Sequence, residues 1–301
     1  MNETTRDAFD QALDTRTVKG RSLYIDAWHR LLKNRAAVAA LVLLGLMVVL
    51  VIVGPMLSEW DHEIPDWDHY STPPSLETGH LFGTDALGRD LFVRTMIGGQ
   101  ISLLVGLVAT LVSLVIGISY GAVAGYFGGR VDNLMMRFVD GIYAMPFMFF
   151  VIVLMVVFGR NIFLIFVAIG AINWLDMARI VRGQTLSLKN KDFVEAARAC
   201  GATEFHIIRR HIIPNLLGVV IVYVTLTIPQ VILVESFLSF LGLGVQEPLT
   251  SWGALVNEGA QELETAPWSL LFPACFLAAT LFAFNFLGDG LRDALDPKDR
   301  L

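Results

Sequence analysis

Six stretches of this chain run for 15 to 26 residues without an Asp, Glu, Lys or Arg: Ala36–Leu57, Ile101–Tyr126, Gly141–Gly159, Asn161–Leu175, Leu216–Val234 and Pro267–Leu287. A helix needs about 20 apolar residues to cross the hydrocarbon core of a bilayer. These stretches therefore predict an all-α integral membrane protein with six transmembrane helices. The fourth stretch is the shortest and runs into Asp176 and Arg179. The third and fourth meet at Arg160–Asn161, which predicts a tight hairpin. Pro146, Pro229 and Pro273 fall inside the third, fifth and sixth. Composition agrees: 17% of the 301 residues are charged, less than the quarter usual for soluble domains. The longest polar stretch, 58–100, is too short to support a core of its own. No separate soluble domain is expected.

Lys and Arg set the orientation. Nineteen of the 22 fall in segments 1–35, 126–140, 176–215 and the tail after Leu287, and only Arg89, Arg94 and Arg160 fall elsewhere. Both termini are thus expected in the cytoplasm. The predicted division is a cytoplasmic segment 1–35, a six-span domain 36–290 and a cytoplasmic tail 291–301. Within the domain lie outer loops 58–100 and 243–266 and a cytoplasmic loop 183–215. The outer loops are acidic, which suits a solvated surface or the docking of a partner by complementary charge. The first 35 residues contain no apolar stretch with a small-residue cleavage site, so the first span reads as a retained anchor. Just before it, Tyr24, Trp28, Leu31 and Leu32 recur at helical spacing opposite Asp26, Arg30 and Lys33. That pattern fits an amphipathic helix at the membrane surface or one packed on the protein's own helices. Cys200 and Cys275 give no disulfide framework and are expected to be ordinary small side chains.

The cytoplasmic loop is long, basic and patterned. Phe193, Ala196, Ala197 and Cys200 recur at i, i+3, i+4 and i+7, one face of a helix. Gly201 follows as a helix stop. A second helical run, Glu204 to His211, leads to Pro214 at the mouth of the fifth span. A short amphipathic helix held away from a membrane body suits insertion into a groove on a partner.

Glu195-Ala196-Ala197, Gly201 and Pro214 stand at the spacing of the loop found in bacterial ABC importer permeases, which this chain resembles. His211 and Ile213 depart from the Ile and Leu usual there. Three more segments narrow the resemblance to the peptide/nickel branch. They are Gly83-Thr84-Asp85-Ala86-Leu87-Gly88-Arg89-Asp90, then Glu235 to Gly244 with Ser251-Trp252-Gly253, and Gly288 to Pro297. Together they look most like the C-type transmembrane subunit of a bacterial oligopeptide or dipeptide permease.

The resemblance implies a type I ABC importer permease fold in the bacterial inner membrane. Glu195, Ala196, Ala197, Gly201 and Pro214 would form the ATPase-coupling loop. Gly83, Thr84, Asp85, Gly88, Arg89 and Asp90 would form an outer segment that contacts a partner. Glu235, Ser236 and Ser239 are candidates for the pathway or its outer gate. Implied partners are a second homologous permease, two ATPase subunits using ATP and Mg2+, a periplasmic solute-binding protein and a peptide. Dipeptides and nickel complexes are alternative cargoes, and nucleic acid is not expected.

The chain itself is not expected to be an enzyme. No Gly-x-x-x-x-Gly-Lys-Ser/Thr phosphate loop is present. No catalytic residue and no cofactor of its own is expected. A self-sufficient secondary transporter would show inverted repeats and mid-membrane ionisable groups, and neither is visible. His62, His69 and His80 share the outer segment at spacings unlike a helical or turn-type metal site. They read as solvated loop residues, so no metal is expected. Gly117, Gly121 and Gly125 lie four apart on the second span, a ridge for close helix packing.

Overall fold

The computed structural model describes residues 23–159 and 162–295, and it is helical, with no strand among them. Short α1 (Leu23–Lys33) leads into α2 (Arg35–Leu57). Asn34 lies between them and accepts the Ala36 and Ala37 amides on its side-chain oxygen. Then come α3 (Leu91–Phe127), α4 (Gly129–Tyr143), α5 (Phe147–Phe158) and α6 (Ile162–Leu188). Next are α7 (Asp192–Ala199) and α8 (Glu204–Ile207). A π turn (Ile208–Ile212) joins α8 to α9 (Ile213–Phe240), and α10 (Trp252–Gln261) and α11 (Trp268–Leu295) complete the order.

Among the described residues, four helical runs are long and apolar enough to cross a membrane: α2, α3, Glu204–Phe240 and α11. A fifth results if α4 and α5 are taken as one broken span. The third predicted span is therefore not one kinked helix. The chain bends by 76° between α4 and α5, because Pro146 has no N–H to continue the ladder and disfavours helix at Met145. The predicted hairpin tip, Arg160–Asn161, lies outside the described residues. On either side of it, Val151 and Met155 of α5 share a buried cluster with Ala168 and Ile169 of α6. The fourth span starts near where its sequence predicts but continues as helix past Asp176 to Leu188.

The surface is the reverse of a soluble protein's. Leu41, Val42, Val49 and Ile52 of α2, Leu104, Leu107, Leu111 and Val115 of α3, and Phe149, Val156 and Val157 of α5 are exposed. Water would penalise so large an apolar face, whereas lipid satisfies it, since the helices bond their own backbone groups. Inside, small residues let helices approach. A Cβ on Gly121 would lie 2.4 Å from the Ala178 carbonyl oxygen, and one on Gly125 2.7 Å from that of Arg182. The Gly117/Gly121/Gly125 ridge thus packs α3 on α6 within the chain. Gly290 does the same for α11 against Ala37 of α2. Residues 288–295 are accordingly the last turns of α11 rather than a loose tail.

α1 divides its apolar residues. Leu31 is buried with Ala37, Leu44 and Leu287, while Ile25, Trp28 and Leu32 are exposed. The packing on the protein's own helices is thus present at Leu31. The Tyr24 side chain, the basic residues before Leu23, and Lys298 and Arg300 lie outside the described residues.

Candidate functional site

The two ends of α3 carry two different constructions. At its C-terminal end, α7 is held out from the helical body by a single buried anchor, Val194, with Ala197 packed beside it. Glu195 and Ala196 are exposed. Of the predicted apolar face, Phe193, Ala196 and Cys200 are exposed and Ala197 is half-buried; Phe193 is 38% exposed and Phe205, one helix further on, 72%. The helix ends in a Schellman cap. The Gly201 amide bonds the Arg198 carbonyl at 3.0 Å and the Ala202 amide bonds the Ala197 carbonyl at 3.1 Å. Gly201 has φ +80°, the left-handed conformation that this cap requires.

Behind the cap, Thr203 starts α8 with its hydroxyl accepting the His206 amide. The chain then enters the π turn, where the Ile213 amide reaches back five residues to the Ile208 carbonyl. Pro214 follows in the first turn of α9. Its missing N–H falls where the α-ladder has already been shifted, so helix passes through the proline unbroken. Ile207, Ile208, Ile212 and Leu216 form the buried face here. His211 is off that face, so its departure from the usual Ile costs no core contact.

Polar contacts fix the loop to the spans. The Tyr126 hydroxyl, at the end of α3, donates to the Glu204 carboxylate and accepts from Arg198 at 3.1 Å. Lys189 Nζ donates to the Gly125 carbonyl at 3.1 Å, a cation at a helix C-terminus. Arg182 of α6 grips Asp132 of α4 in a fork of 2.5 and 2.6 Å. None of these pairings is legible in the sequence, although Gly125 and Glu204 stand out there for other reasons. Each joins residues 50 to 78 positions apart, which spacing along one helix cannot reveal.

At the N-terminal end of α3, the segment Gly83–Asp90 folds inward. Thr84 is fully buried, donating to the His69 carbonyl at 2.7 Å and accepting the Thr72 amide at 2.9 Å. Asp85 accepts the Leu87 and Arg89 amides, Arg89 Nε at 2.8 Å and Arg94 Nη1 at 2.5 Å. Arg94 continues to Glu258 of α10 at 2.8 Å, and Arg89 to Glu247 at 2.7 Å. Asp90 caps α3 by accepting the Val93 amide. Gly83 and Gly88 both have φ +78°, and a Cβ on either would meet a backbone oxygen at 2.4 to 2.5 Å. Of the expected partner-contact residues, only Arg89 remains partly accessible. The rest hold the loop on α3, and the exposed tip is Ala86–Leu87. The Arg89 guanidinium holds the Glu247 carboxyl below its ordinary range.

Glu235 is likewise enclosed within this chain. It is fully buried, with Ser102 of α3 at 3.1 Å and Ser239 at 2.7 Å donating to its carboxylate. Ser102 also accepts the Trp252 amide, and Ser251 donates to Ser239 at 3.2 Å. Ser236 sits beside it at 3.5 Å. The trio expected at a gate is a polar knot that ties α3, α9 and α10 of this one chain together. Apposed glycines permit it: a Cβ on Gly253 would lie 2.4 Å from the Ser236 Cα.

Residues 116–300, which include the whole α6–α9 arrangement, match the family described as binding-protein-dependent transport system inner membrane component. The chain belongs to that family. Residues 22–74 match a second model, the N-terminal transmembrane domain of oligopeptide transport permease C. As a family member the chain is similar along its full length to the oligopeptide transport system permease protein OppC of Haemophilus influenzae. Identity is 57% over 303 residues, covering 100% of this chain and 97% of the relative. The protein of the same name from Escherichia coli K12 is 58% identical over 299 residues, covering 99% and 98%. The dipeptide transport system permease protein DppC of Bacillus subtilis is 49% identical over 276 residues, covering 91% and 86%.

Proposed function

We propose that this chain forms half of the translocation pathway of an ATP-driven oligopeptide importer. A second homologous permease supplies the other half, with two ATPase subunits at the cytoplasmic face and a periplasmic solute-binding protein at the other. ATP and Mg2+ act on the ATPases. The fold is read as six spans, with the broken α4–α5 pair as the third and α6 as the fourth, and with both termini cytoplasmic.

The observation that carries this reading is α7. It exposes Phe193 and Ala196 on a short helix, capped at Gly201 and anchored by Val194 and by the Tyr126–Glu204–Arg198 contacts. Such a lever transmits a push from a neighbouring subunit into α3 and α9, because its own end is rigidly attached to both. Oligopeptide cargo is supported by the two full-length relatives of that name. A dipeptide cargo draws support from the Bacillus relative, and competition between dipeptides and longer peptides for uptake separates the two.

The test is ATP hydrolysed per peptide taken up by the reconstituted importer. Gly201→Asp and the exposed Glu195→Lys should leave the chain inserted and raise that ratio at least tenfold. Unchanged uptake and an unchanged ratio in both variants would overturn the coupling role.

A further inference from the structure

His69 and His80, expected as solvated loop residues, converge with Asp66. Their ligand atoms, together with an Asp66 carboxylate oxygen, all lie within 4.8 Å of one another. His69 Nδ1 is 2.8 Å and His80 Nε2 3.3 Å from the same oxygen, Asp66 Oδ2. We propose that Asp66, His69 and His80 bind a divalent cation of the zinc class on the outer face of the protein.

Three observations carry this. First, the ligands are preoriented. His80 is 0% exposed, its ring stacks on Trp60 at 4.2 Å, and its Nδ1 meets Asp90 Oδ2 at 2.8 Å. A carboxylate holding the far nitrogen of a ligating imidazole is the usual support of a metal-bound histidine. Asp66 is fixed by the Asp68 amide on its other oxygen and by its own amide on the Gly88 carbonyl.

Second, the arrangement is short of positive charge. In the tautomer whose Nδ1–H bonds Asp90, His80 turns the Nε2 lone pair toward a carboxylate oxygen 3.3 Å away. A cation between them turns that repulsion into attraction.

Third, the spacing fits. Zinc bonds of about 2.0–2.2 Å place tetrahedral ligands about 3.3 Å apart, and two imidazoles with one carboxylate leave a position for water. His69 is 35% exposed at its side chain, which gives the ion a way in.

Bound there, the ion would clamp the turn at Asp66–His69 to His80 and, through Asp90, to the start of α3. The inference is independent of cargo and of coupling. The intact complex is purified from membranes, stripped with chelator and titrated with Zn2+, and with Co2+ as a spectroscopic probe. The wild type should hold one more Zn2+ per chain than His69→Ala, a variant at an accessible side chain. It should also show a visible Co2+ band that this variant lacks. His62→Ala should bind as wild type does. Asp90→Asn, which can still cap α3, should bind ten- to a hundredfold more weakly. Equal metal content and identical Co2+ spectra in the wild type and His69→Ala would overturn the site.

Discussion

Gly83 and Gly201 share nearly the same backbone, φ +78° and +80°, yet stand in opposite surroundings. Nothing lies within 4 Å of a Cβ built on Gly201, whereas at Gly83 it would meet the Thr72 carbonyl oxygen at 2.4 Å and Trp268 at 2.9 Å. Gly201→Ala should therefore cost only the strain of the left-handed region, about 1–2 kcal/mol. Gly83→Ala should cost that plus a backbone displacement. Thermal unfolding in detergent should show the lower midpoint for Gly83→Ala, and equal midpoints would refute the contrast. The open space at Gly201 means that a larger side chain there meets no clash within this chain. Both glycines were legible as landmarks in the sequence. Their different surroundings were not, because the Thr72 carbonyl reaches Gly83 only through the path of the outer loop. The surroundings of Glu235 were hidden for a similar reason. An acidic residue at a span end reads as functional by default, and only the fold brings Ser102, 133 positions away, to satisfy it.

At the scale of elements, the outer loops are joined to α3 by charge rather than by apolar packing. Asp85 lies between Arg89 and Arg94, which extend to Glu247 and Glu258. The acidic outer loops are thus partly neutralised from within, and Arg94, a lone cation among apolar neighbours at a span start, was the available signal. The Glu247 carboxyl is held below its ordinary value chiefly by its hydrogen bond from Arg89. A depressed folded pKa means that the contact stabilises above the unfolded value, about 4.3, and is lost as pH falls through the folded one. Glu247 is largely exposed, so the effect is under about 1 kcal/mol. Hydrogen exchange at Gln246 and Glu247, corrected for intrinsic rate, should quicken below pH 4. In Glu247→Gln the pH dependence should vanish, and a pH-independent wild type would contradict the assignment.

Across the whole molecule, long uncharged runs made the helical membrane architecture readable, since lipid leaves the backbone few options. The break at Ala144–Pro146 was harder to read. A proline inside an apolar run gives either a slight kink or a sharp bend; here the bend is 76°, and Arg182 of α6 holds Asp132 of α4 on its near side. The π turn left no mark in the sequence beyond Pro214. Yet it fixes the compass bearing of α7. Each residue of an α-helix advances the chain by about 100° and 1.5 Å, and the Ile213-to-Ile208 bond stores one such step. Deleting Arg210, an exposed residue of that turn, should restore a regular ladder and swing everything before it by about 100° about the axis of α9. The chain would still insert and fold its spans, but the face bearing Phe193 would point elsewhere. Uptake should be lost while cross-links between α3 and α6 persist, and normal uptake by the deletion variant would show that the bearing does not matter. One spare residue, by this reading, is the set-screw that aims the lever.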